Sequence, residues 1–304
     1  VRAKAVTQGK IADVLQARGE LDEALRIRRE EELPVYERLG DVRAKAVTQG
    51  KIADVLQARG ELDEALRIRR EEELPVYERL GDVRAKAVTQ GKIADVLQAR
   101  GELDEALRIS REEQLPVYER LGDVRGKAVT SRKIADILAS RGELDEALRM
   151  YRDEALGPIR GMGLVADEAV FHGLIADVLQ DRGELDEALR IRREEVLPVC
   201  ERLGDVRGKA VTQGKIADVL QDRGELDEAL RIRREEELPV YERLGATRDL
   251  LICRWWIATI LLERNAPGDR EEAEELLRQA HAAAEKMGIP EAGRIREIMD
   301  DEGF

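Results

Sequence analysis

The chain has 304 residues, with 52 Lys or Arg against 65 Asp or Glu and a formal net charge of −13, which argues against a protein that follows nucleic-acid phosphates. Only two cysteines occur, Cys200 and Cys253, so we expect no disulfide framework and a reducing, cytoplasmic setting. No run of 18 apolar residues and no hydrophobic leader is present, so neither membrane insertion nor export is indicated.

A 41-residue unit dominates the sequence. Residues 1–41 recur unchanged as residues 42–82, and related copies start at positions 83, 124, 165 and 206. One copy is too short to bury its own apolar face, so consecutive copies are expected to stack around one continuous core. We predict a single domain with repeats 1–41, 42–82, 83–123, 124–164, 165–205, 206–246 and 247–288, followed by a capping helix at 289–304.

Each repeat is predicted to be a helical hairpin. Apolar residues at helical spacing run up to Gly19, which favours the left-handed conformation that ends a helix; we name this first segment helix A. Helix B begins at Leu21, carries acids in its first turn and ends at Gly40. Asp41 is placed to cap the next helix A. The predicted fold class is an all-α, right-handed α-solenoid of helical hairpins.

Helix B contains two unusual features. Pro34 lies well inside it and removes a backbone donor, which predicts a kink. The dense charges from Arg28 to Glu32 are typical of an ion-pair ladder between repeats on the outer face.

Helix A contains a glycine in its interior, Gly9, which recurs in most repeats. Glycine in a helix costs about 1 kcal/mol relative to alanine. Something therefore approaches the backbone closely here, either a neighbouring helix or a ligand.

The segment IADVLQAR followed by GELDEALRI resembles the tetratricopeptide repeat, with Ala12 in helix A and Gly19, Leu21 and Ala24 at the turn and the start of helix B. The resemblance covers nearly the whole chain. The period is longer than that of typical members, as in kinesin-light-chain-like proteins and in bacterial sensor arms attached to nucleotide-dependent switches. The family implies a ligand groove on the concave, helix A side. Bulky aromatic residues usual in the family are missing, since Leu15, Leu21 and Arg28 take their places.

Stacking the repeats predicts two parallel rows of charged side chains along helix A. Lysine and aspartate three residues apart are able to pair within one helix; alternatively, an extended peptide displaces those pairs. The lysine row is Lys10, Lys51, Lys92, Lys133 and Lys215, and the aspartate row is Asp13, Asp54, Asp95, Asp136, Asp177 and Asp218.

The repetition is broken in two places. Between residues 156 and 174, Phe171, His172 and Leu174 replace Thr, Gln and Lys, and Leu174 suggests an apolar pocket for a partner side chain, with simple packing repair as the alternative. Further on, Trp255 and Trp256 either cover the end of the core or provide an exposed anchor at Trp256.

Residues for catalysis are not found. His172 and His281 lie in separate repeats without convincing partners, and there is no zinc motif or phosphate-binding loop. We predict a non-catalytic protein- or peptide-binding scaffold without metal or cofactor. Because the chain begins inside a repeat at Val1 and ends in a polar helix, we interpret it as the C-terminal sensing arm of a larger bacterial protein. The alternative is a structural solenoid that self-associates through its uncapped first repeat.

Overall fold

The computed structural model describes residues 1–304, which form helices and turns without a β-strand. The helices belong to two compact units, Val1–Pro158 and Ile159–Phe304, which we describe separately. Each repeat is a helical hairpin, as predicted, and the fold is an all-α repeat fold. In the first unit the A helices are Arg2–Ala17, Val42–Ala58, Val83–Ala99 and Val124–Ser140. In the second unit they are Val165–Asp181, Val206–Asp222 and Thr247–Arg264.

Helix B has three parts in repeats 1–6: an α-helical start, a π-helical middle and an α-helical end. In repeat 1 these are Leu21–Arg26, Ile27–Glu32 and Leu33–Leu39. The corresponding parts are Leu62–Arg67, Ile68–Glu73 and Leu74–Leu80 in repeat 2, and Leu103–Arg108, Ile109–Gln114 and Leu115–Leu121 in repeat 3. They are Leu144–Arg149, Met150–Leu156 and Gly157–Gly161 in repeat 4, Leu185–Ile191, Arg192–Val196 and Leu197–Leu203 in repeat 5, and Leu226–Ile232, Arg233–Glu237 and Leu238–Leu244 in repeat 6.

The π-helical segment lies where the sequence predicts a proline kink. Proline at position 34 has no N–H, and its ring would collide with the carbonyl four residues earlier in a regular α-helix. In the π segment the hydrogen bonds reach one residue further back, and Pro34 then occupies the first turn of the next α-helical segment, where its missing donor is not needed. The chain thus accommodates the proline by widening helix B.

The turns follow the sequence prediction closely. Gly19 and Gly40 adopt left-handed backbone angles, with φ of 79° and 62°. The Asp41 carboxylate accepts a hydrogen bond from the Ala44 backbone N–H at 3.0 Å and so caps the second helix A.

The core consists of small and branched side chains at equivalent positions in successive repeats. In repeat 2, Ile52, Val55 and Leu56 are fully buried beneath helix B of repeat 1 and of repeat 2, and Tyr77 packs at the end of helix B. In the second unit, helix Asp269–Met287 packs on Thr247–Arg264, and helix Glu291–Glu302 follows it, as predicted for the closing hairpin and the last helix.

Candidate functional site

The predicted lysine and aspartate rows lie on helix A and are half-exposed in both units. The prediction that lysine and aspartate pair within one helix is wrong. Each lysine instead reaches the aspartate of the preceding repeat: Lys51 Nζ lies 3.2 Å from Asp13 Oδ1, and Lys10, in the first repeat, has no ion-pair partner. The equivalent distances are 3.3 Å for Lys92 and Asp54, 2.6 Å for Lys133 and Asp95, and 3.2 Å for Lys215 and Asp177.

In repeats 1, 2, 5 and 6 the aspartate is also held by a buried arginine of its own repeat. Arg28 is only 2% exposed. Its Nη2 donates to Asp13 Oδ1 at 2.6 Å, and its Nη1 donates to Glu32 Oε2 at 2.8 Å. Arg28 of the same repeat and Lys51 of the next repeat both donate to Asp13 Oδ1, so this oxygen joins the two repeats. The same network recurs as Asp54, Arg69 and Glu73, and as Asp218, Arg233 and Glu237.

The predicted outer-face ion-pair ladder is therefore only partly correct. Arg28 and Glu32 are buried, because they stand at helical spacing within the apolar stripe of helix B and neutralise one another there. The ladder between repeats does form at the next position, where Arg29 Nη2 lies 4.0 Å from Glu64 Oε1 and Arg111 Nη2 lies 2.6 Å from Glu146 Oε1.

The buried glutamate also explains the glycine in helix A. A Cβ atom on Gly9 would lie 2.6 Å from Glu32 Oε1, and one on Gly50 would lie 2.5 Å from Glu73 Oε1. The close neighbour is thus a side chain of helix B in the same repeat. Burial raises the pKa of the Glu73 carboxyl above its usual range, while Arg69 acts in the opposite direction.

Repeats 3 and 4 carry neutral versions of this network. Ser110 and Gln114 replace the arginine and the glutamate in repeat 3, and Asp95 is held by Lys133 alone. In repeat 4, Tyr151 occupies the arginine position and donates a hydrogen bond to Asp136. The fold therefore accepts either a fully charged or a neutral set of side chains at these positions.

In repeat 5, three substitutions surround one cavity of about 330 Å³. Leu174 stands at the lysine position, Val196 at the position of Glu32 and Cys200 at the position of Tyr36. Together they remove a cation, a carboxylate and an aromatic ring from the space between helix A of repeat 5 and helix A of repeat 6. The sequence prediction of an apolar pocket relied on Leu174 alone; aligning positions 32 and 36 across the repeats would have added Val196 and Cys200.

The neighbouring candidates Phe171 and His172 are buried in the core of the second unit. They lie on the side of helix A that faces helix B, where Thr and Gln are buried in other repeats. Burial lowers the pKa of His172 below its usual value, so the imidazole is neutral at pH 7. Neither side chain is available to a partner on the exposed face of helix A.

The two tryptophans occupy different environments. Trp255 and Trp256 stack with their ring centroids 6.0 Å apart, and the Arg233 guanidinium lies 5.6 Å from the ring centroid of Trp256. Trp256 remains 37% exposed at the end of the lysine row. It therefore both covers the buried arginine of repeat 6 and presents an indole edge to solvent.

The remaining reactive side chains do not converge on a catalytic arrangement. His281 Nε2 lies 3.7 Å from Glu285 Oε1 near the surface, and Arg296 contacts both residues. Burial strongly raises the pKa of the Cys253 thiol, which keeps it protonated. No group of three or more His, Cys, Asp or Glu side chains is arranged to hold a metal ion. None of the helices combines the length and apolar character needed to cross a membrane.

Comparison with known proteins agrees with the repeat geometry. Five segments match the tetratricopeptide repeat family, at residues 12–30, 53–71, 94–112, 169–194 and 217–235. No curated protein matches the chain in sequence.

Three solved structures illustrate the similarity in fold. A signal transduction ATPase with numerous domains (STAND) from Pyrococcus horikoshii, which has a tetratricopeptide repeat sensor, is 16% identical with a TM-score of 0.69; the match covers 93% of this chain and 42% of that protein. A structure of tetratricopeptide-like repeats of a putative kinesin light chain from Podospora anserina, which are nearly identical to one another, is 18% identical to this chain with a TM-score of 0.54. The match covers 66% of this chain and 96% of that one. A Rap protein complexed with Competence and Sporulation Factor is 13% identical with a TM-score of 0.58, covering 100% of this chain and 98% of that one.

The chain thus spans about two fifths of the STAND protein and nearly all of the Rap protein. The family matches begin at equivalent positions within helix A of repeats 1, 2, 3 and 6 and extend across the turn into helix B. Five of the seven repeats thus contain a segment that matches the tetratricopeptide repeat model, and the fold is that of tetratricopeptide repeat structures.

Proposed function

We propose that this chain binds an extended peptide, or an extended segment of a partner protein, along the exposed face of its A helices. The observation that carries the proposal is the pairing of the lysine row with aspartates of the preceding repeats. In repeats 1, 2 and 5 the aspartate already has a buried arginine as a second partner. A lysine that turns from its aspartate to a peptide carboxylate therefore leaves no unpaired acid behind. Tetratricopeptide repeats are a family of protein-interaction scaffolds, and the similar Rap protein, which is complexed with Competence and Sporulation Factor, supports a binding role.

The proposed contact residues differ between the two units. In the first unit the surface consists of the lysine and aspartate rows. In the second unit the lysine position carries Leu174, Lys215 and Trp256 in consecutive repeats, which offers an apolar, a cationic and an aromatic contact. Phe171 and His172 are omitted because they are buried.

Reversing the charge of the lysine row is expected to weaken peptide binding by roughly tenfold or more, since each lysine provides a charged hydrogen bond. Peptides are selected from a displayed random library on the immobilised full chain. Their affinities for the wild type and for a Lys51→Glu, Lys92→Glu double variant are then measured by fluorescence anisotropy.

The matched control is the double variant Lys45→Glu, Lys86→Glu. These lysines lie on the same two A helices but pair with Glu37 and Glu78 near the turns, each at 2.8 Å. The net charge changes equally, so only a position-specific effect separates the two variants. Failure to select any peptide, or equal affinities for both variants, would refute the proposal.

The larger context is part of the same proposal. We propose that the chain is the sensing arm of a larger protein, because the similar STAND protein has a tetratricopeptide repeat sensor and is more than twice the length matched here. The two unpaired cysteines suit a reducing cytoplasm.

Self-assembly is a second candidate, favoured by one observation in the first repeat. Val14 is 59% exposed there, whereas Val55, its counterpart in the identical second repeat, is fully buried. A second copy that covers this face would bury Val14 and Ile11 as helix B of a preceding repeat buries their counterparts.

Val14→Lys is expected to lower self-association, because a lysine at this face cannot be buried without losing its hydration. Sedimentation equilibrium of the wild type over a hundredfold concentration range measures the association. Val47→Lys is the control, since Val47 is also half-exposed but lies elsewhere on helix A. A wild-type mass that stays constant with concentration would eliminate this candidate.

A further inference from the structure

The cavity in repeat 5 contains a buried cation with an unused hydrogen-bond donor. Arg192 is 3% exposed and lines the cavity, and its Nη2 donates to Asp177 Oδ1 at 2.6 Å. In repeats 1, 2 and 6 the other terminal nitrogen, Nη1, donates to a glutamate. Val196 stands at that position in repeat 5, so Nη1 of Arg192 lacks this carboxylate, and the one side-chain hydrogen bond of Arg192 is that from Nη2 to Asp177.

The charges around this cavity are also unbalanced. In repeat 2 the network contains two cations, Arg69 and Lys92, and two anions, Asp54 and Glu73. In repeat 5 the two cations Arg192 and Lys215 share one carboxylate, that of Asp177. One carboxylate for two cations leaves an excess of positive charge, so this end of the cavity attracts an anion.

A second carboxylate on the cavity wall gives the site a direction. Asp205 accepts a hydrogen bond from the Gly208 backbone N–H at 2.8 Å at the start of helix A of repeat 6. It lies ten residues before Lys215, which is roughly 15 Å along a helix axis. An anionic group is therefore repelled from the Asp205 end and held at the Arg192 and Lys215 end.

The walls between these two ends are apolar. They include Val170, Leu174, Val196, Val199 and Val211. The volume of about 330 Å³ lies at the lower end of the range of small-molecule pockets, which is about 300–1,000 Å³. The equivalent grooves of repeats 2 and 3 are lined by Tyr77 and Tyr118, whereas Cys200 leaves this space open.

We propose that this cavity binds a small aliphatic carboxylate. The ligand carboxylate accepts a hydrogen bond from Arg192 Nη1 and forms an ion pair with Lys215, and its alkyl group packs between Leu174 and Val211. This site goes beyond the peptide-binding surface proposed above, and neither proposal requires the other. Binding supplies the acceptor that Val196 removed, which is the reason a carboxylate is favoured over a neutral apolar ligand.

The test uses 4-methylpentanoate and its neutral amide, 4-methylpentanamide, as probes for the full chain. Isothermal titration calorimetry is expected to show saturable binding of one carboxylate per chain and roughly tenfold weaker binding of the amide. The proposal is overturned if the carboxylate does not bind saturably or if the amide binds equally well.

Two variants at one position locate the site. Val196→Glu restores the glutamate that occupies Nη1 in repeats 1, 2 and 6, and is expected to reduce carboxylate binding by roughly tenfold or more. Val196→Leu keeps the wall apolar and leaves Arg192 free, so binding is retained. Arg192→Ser, which copies the serine of repeat 3, provides an independent loss of binding with a side chain that the fold accepts. Unchanged affinity in Val196→Glu and Arg192→Ser would place any binding elsewhere and refute the assignment.

Discussion

Replacing Arg69 with alanine is expected to lower the free energy of unfolding by about 3–5 kcal/mol at pH 7, because it leaves the buried carboxylate of Glu73 without its counter-charge. Glu73 would keep a hydrogen bond from Thr89 Oγ1 at 3.2 Å, which does not compensate a full charge. Urea unfolding followed by far-ultraviolet circular dichroism measures the loss.

A double variant separates the unpaired charge from lost packing. Arg69→Ser with Glu73→Gln copies the pair found at Ser110 and Gln114 in repeat 3, so it removes both charges and keeps a combination that the fold already contains. We expect it to be more stable than Arg69→Ala alone. A double variant as unstable as the single variant would show that packing of the guanidinium, rather than its charge, accounts for the loss.

The pH dependence of the single variant provides a second measurement. Burial raises the pKa of Glu73 above its ordinary value of 4.5. The native chain therefore binds the proton of the Glu73 carboxyl more tightly than the unfolded chain does. The free energy of unfolding consequently falls as the pH rises from 4.5 through the raised native pKa. Removing Arg69 raises the native pKa further. The stability difference between Arg69→Ala and the wild type should thus shrink when the pH is lowered from 7 to 5.

Gly50→Ala and Gly173→Ala are expected to change stability in opposite directions. Both glycines lie inside an A helix, where alanine is intrinsically favoured by about 1 kcal/mol. A Cβ on Gly50 would lie 2.5 Å from Glu73 Oε1, whose carboxylate is held by Arg69 and Thr89, so we expect a net loss of about 1–3 kcal/mol. A Cβ on Gly173 meets no atom within 4 Å, so we expect a gain of about 0.4–1 kcal/mol.

These two substitutions test the network without altering any charged residue. Their urea midpoints, measured under identical conditions, decide the outcome. Stabilisation by both alanines would mean that the Glu73 carboxylate moves aside freely and that the buried network is not rigid. Destabilisation by both would mean that the space beside Gly173 is smaller than the cavity of repeat 5 requires.

The hairpin architecture was predictable because it depends on local signals. Glycine at the ends of both helices and the capping aspartate act within a few residues of their own positions, and the structure confirms them at Gly19, Gly40 and Asp41. The 41-residue period then supplies the stacking of neighbouring hairpins. The same local signals account for the all-helical fold and for the matches to the tetratricopeptide repeat model.

The polar interior was not predictable in the same way. The sequence does not distinguish a charged residue in an exposed helix from one in a buried network, so the charge pattern alone predicts Arg28 and Glu32 on the outer face. Their spacing of four residues, within the stripe that also includes Ala24 and Val35, was the available signal. The lysine pairing depends on the distance between repeats, which the period alone does not specify. The π-helical segment arises from competition between Pro34 and the helix around it, which a propensity scale does not represent.

The ion pairs that join the first three repeats have an evolutionary consequence. Asp13 pairs with Lys51, and Asp54 pairs with Lys92 in the same way, so each junction is formed by the same donor and acceptor positions. If recombination inserted or deleted a whole 41-residue segment of the gene, a junction with the same side chains would re-form. The number of such copies can then change without altering the interface between them, whereas a copy with Leu174 at the lysine position does not form this ion pair.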